Sequence, residues 1–121
     1  MILQNHMQKF VAIYSTPRSE IAKFMKMPKE KMQKEIEAEN KRWSAWFKKN
    51  KKHLVDPGDI FGKTKRVMHK GISDVKNELT GYTIVKAKSH EAAARIFKTN
   101  PQLRSGRSKI EVMVCLGWMG K

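Results

Sequence analysis

The chain has one cysteine, four prolines and two tyrosines among its 121 residues, and only 11 acidic side chains. The lone Cys115 cannot form an intramolecular disulfide, so no disulfide framework holds the fold. Its place in the apolar run VMVCLGW predicts a buried thiol with no reactive role. No apolar run approaches the roughly 20 residues needed to cross a bilayer, which excludes a transmembrane helix and argues against a membrane partner. The opening MILQNHMQ lacks the charged start, apolar middle and small-residue cleavage site of a signal peptide, and cytoplasm is the compartment expected. Also missing are zinc-finger spacing, an RNP-type aromatic strand, a basic region running into heptads, a glycine-rich phosphate loop and a nucleophile elbow. Neither a metal nor a cofactor is expected.

Acids are scarce, whereas lysine and arginine together number 26, leaving a formal charge of +15. An excess of that size attracts nucleic acid or another polyanion, although a lysine-rich solvated surface has the same composition. Most of the excess is lysine, a point charge without the bidentate geometry of arginine, so it favours non-specific attraction over sequence reading. The candidate patch is Lys48, Lys49, Lys51, Lys52, Lys63, Lys65 and Arg66.

Periodicity organises the chain as one domain over residues 9–121, preceded by a tail or extension at 1–8 that leaves His6 outside the core. Phe10, Ala12 and Tyr14 alternate with Val11 and Ile13 in a strand apolar on both faces, as suits a strand covered on both sides. Thr16-Pro17 opens a brief helix to about Met25, and Pro28 interrupts it. From Lys29 the spacing of Met32, Ile36, Trp43 and Phe47 predicts a long helix that ends among lysines favoured by its dipole. LVDPGDIFG reads as a loop, Lys63 to Lys70 as a second strand, and Gly71 to Thr80 as the return connection. Gly81 to Pro101 is then a strand-to-helix unit. Tyr82, Ile84 and Lys86 alternate with Thr83, Val85 and Ala87, Ser89 sits at the N-cap, and Asn100-Pro101 closes the helix. Ile110, Val112, Val114 and Leu116 alternate as the last strand.

Strand, helix, strand, strand, helix, strand is the α+β, ferredoxin-like βαββαβ order. Both helices would cover one sheet face and leave the other bare, so a second copy packed face to face is the expected cover, giving a homodimer.

The residues that carry these elements resemble the YciI-like, or DGPF-domain (YCII-related), family of small dimeric α+β barrels. The likeness rests on KFVAIY, WSAWF followed by LVDPG, LTGYTIVKA with SHEAA, and NPQL followed by IEVMV. It implies a ferredoxin-like subunit, a dimer with sheets face to face, and a cleft between helix ends and sheet for a small ligand. Members of the family are suspected of lyase, isomerase or dehalogenating chemistry with a histidine and an aspartate. The suspected histidine lies on the long helix, where this chain has Lys41, Arg42 and Trp43 instead, and of the DGPF signature only Asp74 remains in SDVKNELTGY.

The local constellation suited to acid–base work is His53 with Asp56 and Asp59, provided they meet in the cleft; a solvated histidine at a helix end is the competing description. His69 and His90 are expected at the surface. Trp43, Trp46 and Phe47 are core or dimer packing, or with Tyr14, Phe61 and Tyr82 they line a pocket for a small anionic or aromatic ligand. Arg104, Arg107 and Lys109 around Gly106 resemble a phosphate-attracting loop only loosely and suit a solvated loop equally well.

Overall fold

Proline punctuates the first half of the chain, and its helices begin where that punctuation falls. In the computed structural model, which describes residues 7–118, β1 (Gln8–Ser15) leads to α1 (Arg18–Met25) and then α2 (Lys29–Lys49), with Pro17 and Pro28 as the two N-caps. Neither cap makes a side-chain hydrogen bond. At α1 a distant residue supplies one: the Glu78 carboxylate accepts from the Arg18 N–H at 3.0 Å, and the Glu78 carbonyl accepts from Thr16 N–H at 2.9 Å. A 3-10 turn, Lys51–His53, then leads into β2 (Leu54–Ile60), β3 (Thr64–Met68), β4 (Gly71–Val75) and β5 (Leu79–Ala87). After β5 come α3 (His90–Ile96), two 3-10 turns at Phe97–Thr99 and Pro101–Arg104, and β6 (Lys109–Val114). Ser89 caps α3 as its sequence predicts, its hydroxyl accepting from the Ala92 N–H at 3.0 Å. His6 and the start of the 1–8 tail lie outside the described residues.

The result is a mixed α+β fold with two antiparallel sheets. The main sheet runs β2-β5-β1-β6 with every neighbouring pair antiparallel, and β3 and β4 form a separate ribbon. Among the described residues no helix is long and apolar enough to cross a membrane.

Four expectations need correction. LVDPGDIFG is not a loop: its first seven residues are β2, the edge strand that pairs with β5. Proline fits there because an edge strand with register shifts on both sides of Asp56 needs no ladder hydrogen bond from residue 57. Gly58 adopts φ +86°, and a Cβ at that position would sit 1.6 Å from the Tyr82 carbonyl oxygen. The Pro-Gly signal therefore marks a bulge pressed against β5. Conversely, Lys63 to Lys70 supplies no main-sheet strand: Thr64–Met68 folds back onto Gly71–Val75, the stretch expected to be a connection. Its pattern offers no buried face, since Val67 and Ile72, paired across the ribbon, are 74% and 68% exposed. Cys115 is exposed, because β6 ends at Val114 and nothing described covers the sheet face on which it falls. The central helix also ends earlier than Asn100, which caps the second 3-10 turn by accepting from the Gln102 N–H at 2.8 Å.

The core lies between that sheet and the helices. Phe10, Ala12 and Tyr14 of β1, with Val85 and Ala87 of β5, pack against Trp46, Ala93 and Phe97. The strand parity read from the sequence is the parity observed: Thr83, Val85 and Ala87 are buried beneath the helices, while Tyr82 and Ile84 are half-buried and Lys86 exposed on the opposite face. Phe10 has no exposed surface. Phe10→Ala is expected to cost about 3–5 kcal/mol by urea unfolding, through lost burial and the cavity left behind, whereas Val67→Ala should cost less than about 0.5 kcal/mol.

Candidate ligand cleft

Helical spacing builds one wall of the site. Ile36, Glu39, Asn40, Trp43, Ser44 and Phe47 recur three and four residues apart, so α2 presents them as a single stripe. Opposite stand Tyr14 and Thr16 at the end of β1, Thr80 to Thr83 of β5, and Pro57 to Ile60 of β2. Phe24 of α1 and Gln102 of the second 3-10 turn complete an open cleft of about 690 Å³.

Its floor is held by a chain of hydrogen bonds whose direction is fixed by the last acceptor. Thr83 Oγ1 donates to the Pro57 carbonyl at 2.8 Å, so its single proton is committed, and Tyr14 must donate its hydroxyl proton to Thr83 across 2.5 Å. Asn100 Nδ2 approaches the Tyr14 oxygen at 3.5 Å, with its amide orientation set by the Gln102 N–H on Oδ1. Burial pushes the Tyr14 phenol up to about 12, since the phenolate would lose its hydration. Gln102 Nε2 donates to the Ser15 carbonyl at 2.9 Å and to Thr16 Oγ1 at 3.0 Å, which leaves the side-chain oxygen of Gln102 for the cleft.

On the sheet face away from α2, β2 sets two carboxylates beside Tyr82. Asp56 Oδ1 accepts from the Gly58 N–H at 2.9 Å, and Oδ2 accepts from the Tyr82 hydroxyl at 2.9 Å. That hydrogen bond, followed by the charge of Asp56, raises the Tyr82 phenol above its ordinary value, because ionising it would remove the proton the carboxylate shares. Asp59, an exposed lining residue, accepts from the Ile60 N–H at 2.7 Å. On the α2 side Glu39 accepts from the Trp43 indole N–H at 3.1 Å and from Arg42 at 2.8 Å.

The residues singled out from sequence are thus divided. Tyr14, Trp43 and Phe47 line the cleft together, whereas Tyr82 borders it from the β5 backbone with its ring on the opposite face of the sheet, beside Asp56 and Phe61. Trp46 does not: it is the one buried residue of α2, set against Phe97 with ring centroids 5.3 Å apart. Phe61 stacks on Tyr82 at 5.9 Å but lines a neighbouring hollow between β2 and β3. Asp56 and Asp59 flank the turn at the cleft, whereas His53 is half-buried in the preceding 3-10 turn, with no hydrogen bond or ion pair to either aspartate among the described residues. His90 is exposed, as expected, and is engaged by the Val112 carbonyl at 2.7 Å and by stacking on Phe10. The polyanion candidates are exposed but split between the end of α2 with its 3-10 turn and the β3 region, where Lys65 pairs with Asp74 at 2.6 Å. Among the described residues no group of three His, Cys, Asp or Glu side chains is placed to hold a metal.

Sequence reasoning missed Glu39, Asn40, Ser44 and Gln102. The first three were reachable, because they fill the same helical stripe as Ile36, Trp43 and Phe47. Gln102 had no local signal, since its role depends on pairing with Ser15, 87 residues away. No protein-family model matches the chain, and no curated protein matches it.

Both tyrosines should ionise late. Tyr14 keeps its proton in the folded state until about pH 12, while the unfolded chain releases it near 10.0. Its contribution to stability is therefore whole below pH 10 and lost between pH 10 and about 12. Tyrosinate absorbance followed against pH should place both ionisations above the ordinary tyrosine value in the folded protein, with Tyr14 last at about 12, and Tyr14→Phe should flatten the alkaline loss of stability. Both tyrosines titrating together at their ordinary value would contradict the burial of Tyr14.

Proposed function

We propose that this is a YciI-like protein with a ferredoxin-like βαββαβ subunit, acting as a homodimer that binds a small planar ligand between α2 and the sheet. The observation that carries the reading is the cleft itself, with Trp43 and Phe47 on one wall and Tyr14 on the other. Aromatic walls with a few fixed polar groups are the usual make-up of a small-molecule site. The antiparallel order β2-β5-β1-β6, with helices linking β1 to β2 and β5 to β6, supports the ferredoxin-like assignment. The reading stops at binding, because His53 has no contact with Asp56 or Asp59 through which to share a proton.

The uncovered sheet face supports the dimer. Its central rows run Met113–Val11–Ile84 and Glu111–Ile13–Tyr82, with Lys9 opposite Lys86 at one end. Asp59 pairs beside Tyr82 at the acidic end. A twofold axis through the apolar centre lays the basic end of one copy on the acidic end of the other, so the face complements itself in shape class and in charge.

Indole serves as a neutral planar test ligand. In NMR titration, saturable shifts are expected at the Trp43 indole N–H with Kd on the order of 1 mM, a value ordinary for a fragment. Trp118, which is 87% exposed, should not respond. A response confined to Trp118, or none at Trp43, removes the ligand reading. Light scattering at micromolar concentration should give twice the 14.1 kDa chain mass, and Ile84→Glu should return the monomer without changing the circular dichroism. A wild-type monomer removes the dimer.

A further inference from the structure

None of the 26 lysines and arginines lines the cleft, and both acidic residues of the lining are engaged elsewhere. Glu39 accepts from the Trp43 indole N–H and from Arg42, with Arg104 4.0 Å from the same carboxylate. Asp59 stands beside Tyr82, so its side chain falls on the sheet face away from α2. The hydroxyl protons of Tyr14 and Thr83 are committed too, the first to Thr83 and the second to the Pro57 carbonyl. Asn40 and Ser44 are exposed and can turn to water. What stays fixed is a pair at the end of β1. Gln102 Nε2 donates to the Ser15 carbonyl at 2.9 Å and to Thr16 Oγ1 at 3.0 Å, and because a carbonyl only accepts, the orientation of that amide is settled. Gln102 Oε1 is left as an acceptor without a partner among the described residues, and Thr16, which accepts from Gln102, keeps its own proton to donate. Both residues line the cleft, and since they are hydrogen-bonded to each other, the free acceptor and the free donor stand side by side.

We propose that the cleft recognises an uncharged planar molecule with an amide edge, a lactam or an aromatic carboxamide. Its N–H donates to Gln102 Oε1, its carbonyl accepts from the Thr16 hydroxyl, and its ring lies against Trp43 and Phe47. This rests on the cleft being the ligand site. A donor next to an acceptor on one planar edge is what an amide presents, and it is the complement of the pair that Gln102 and Thr16 form. An ester of the same shape sets a lone pair against Gln102 Oε1, and a carboxylate does so with a full charge and no lining cation to meet. Two hydrogen bonds hold the Gln102 amide in place before a ligand arrives, so little ordering is needed on binding.

Benzamide, methyl benzoate and benzoate have nearly one shape and differ at that edge. Each is titrated into the full chain at about 0.15 M salt and followed by NMR at the Trp43 indole N–H, beside indole, a ligand with an N–H and no carbonyl. Benzamide is expected to bind about fivefold tighter than methyl benzoate and about tenfold tighter than benzoate. Thr16→Val removes the donor while keeping the branched shape, and Gln102 retains its bond to Ser15; the ratio of benzamide to indole affinity should fall about fivefold. If indole binds and benzamide binds no better than the ester or benzoate, the amide assignment is wrong and the cleft reading survives. A benzamide-to-indole ratio unmoved by Thr16→Val also overturns the assignment. If neither indole nor any of the three shifts Trp43, the cleft reading fails and the inference falls with it.

Discussion

The buried hydroxyl proton of Tyr14 goes to Thr83, and that bond ties the sheet together behind the cleft. Tyr14 belongs to β1, Thr83 to β5 and Pro57 to β2, so one chain of hydrogen bonds crosses three strands. Thr83 is fully buried. A buried hydroxyl without a partner costs about 1–3 kcal/mol, so the arrangement is secured by the penalty of breaking it more than by the strength of each bond. Its far end is a carbonyl exposed by a bulge, and the bulge exists because residue 58 is glycine. Had β2 run regularly past β5, the Pro57 carbonyl would not turn toward Thr83. The irregular edge strand is thereby part of the polar architecture of the sheet.

The cleft follows from where α2 is anchored. Trp46 is the one buried residue of its 21, and it lies near the C-terminal end, packed on Phe97 and edge-on to Trp43. Trp43 in turn stands edge-on to Tyr14 at 5.0 Å, and Tyr14 cannot move without abandoning Thr83. The aromatic column holds the helix off the sheet at this point. Toward its N-terminus the helix has no buried residue to draw it in, and Ile36 remains 38% exposed on the stripe that faces the cleft. A helix fastened at one end over a sheet leaves a wedge, and the wedge is lined by whatever the helical period places there.

That relation explains what could be read from the residues and what could not. The alternation of β5, the long helix with its proline start and the Ser89 cap all depend on local pattern, and each was legible, whereas β1, apolar on both faces, gave no sign of which face the helices cover. The DPG stretch misled because turn chemistry and bulge chemistry use the same residues: glycine supplies positive φ in both, and proline's missing N–H is harmless in both. Only the close approach of Gly58 to the Tyr82 carbonyl distinguishes them, and that is a tertiary fact. The ribbon at Thr64–Val75 erred in the opposite direction, since a hairpin closed by Gly71 needs no core and leaves little apolar periodicity. At the site, Trp43 and Trp46 looked equivalent. Three residues apart, they are neighbours on the helix surface, and packing against Phe97 decided that Trp46 is buried while Trp43 lines the cleft.

Charge divides by the same geometry. Net charge sums over the whole surface, but the field inside a cleft is dominated by the few groups that line it, because more distant charges act through water and salt. On α2 the bases occupy positions 29, 31, 34, 41, 42, 48 and 49, while the cleft stripe at 36, 39, 40, 43, 44 and 47 contains none. The helical period that built the aromatic wall therefore also kept lysine out of it. On the other face of the sheet, the bulge that serves Thr83 sets Asp56 and Asp59 beside Tyr82, since a turn of this kind is closed by aspartate accepting backbone N–H groups. A basic chain thus encloses a cleft whose lining contains no lysine or arginine.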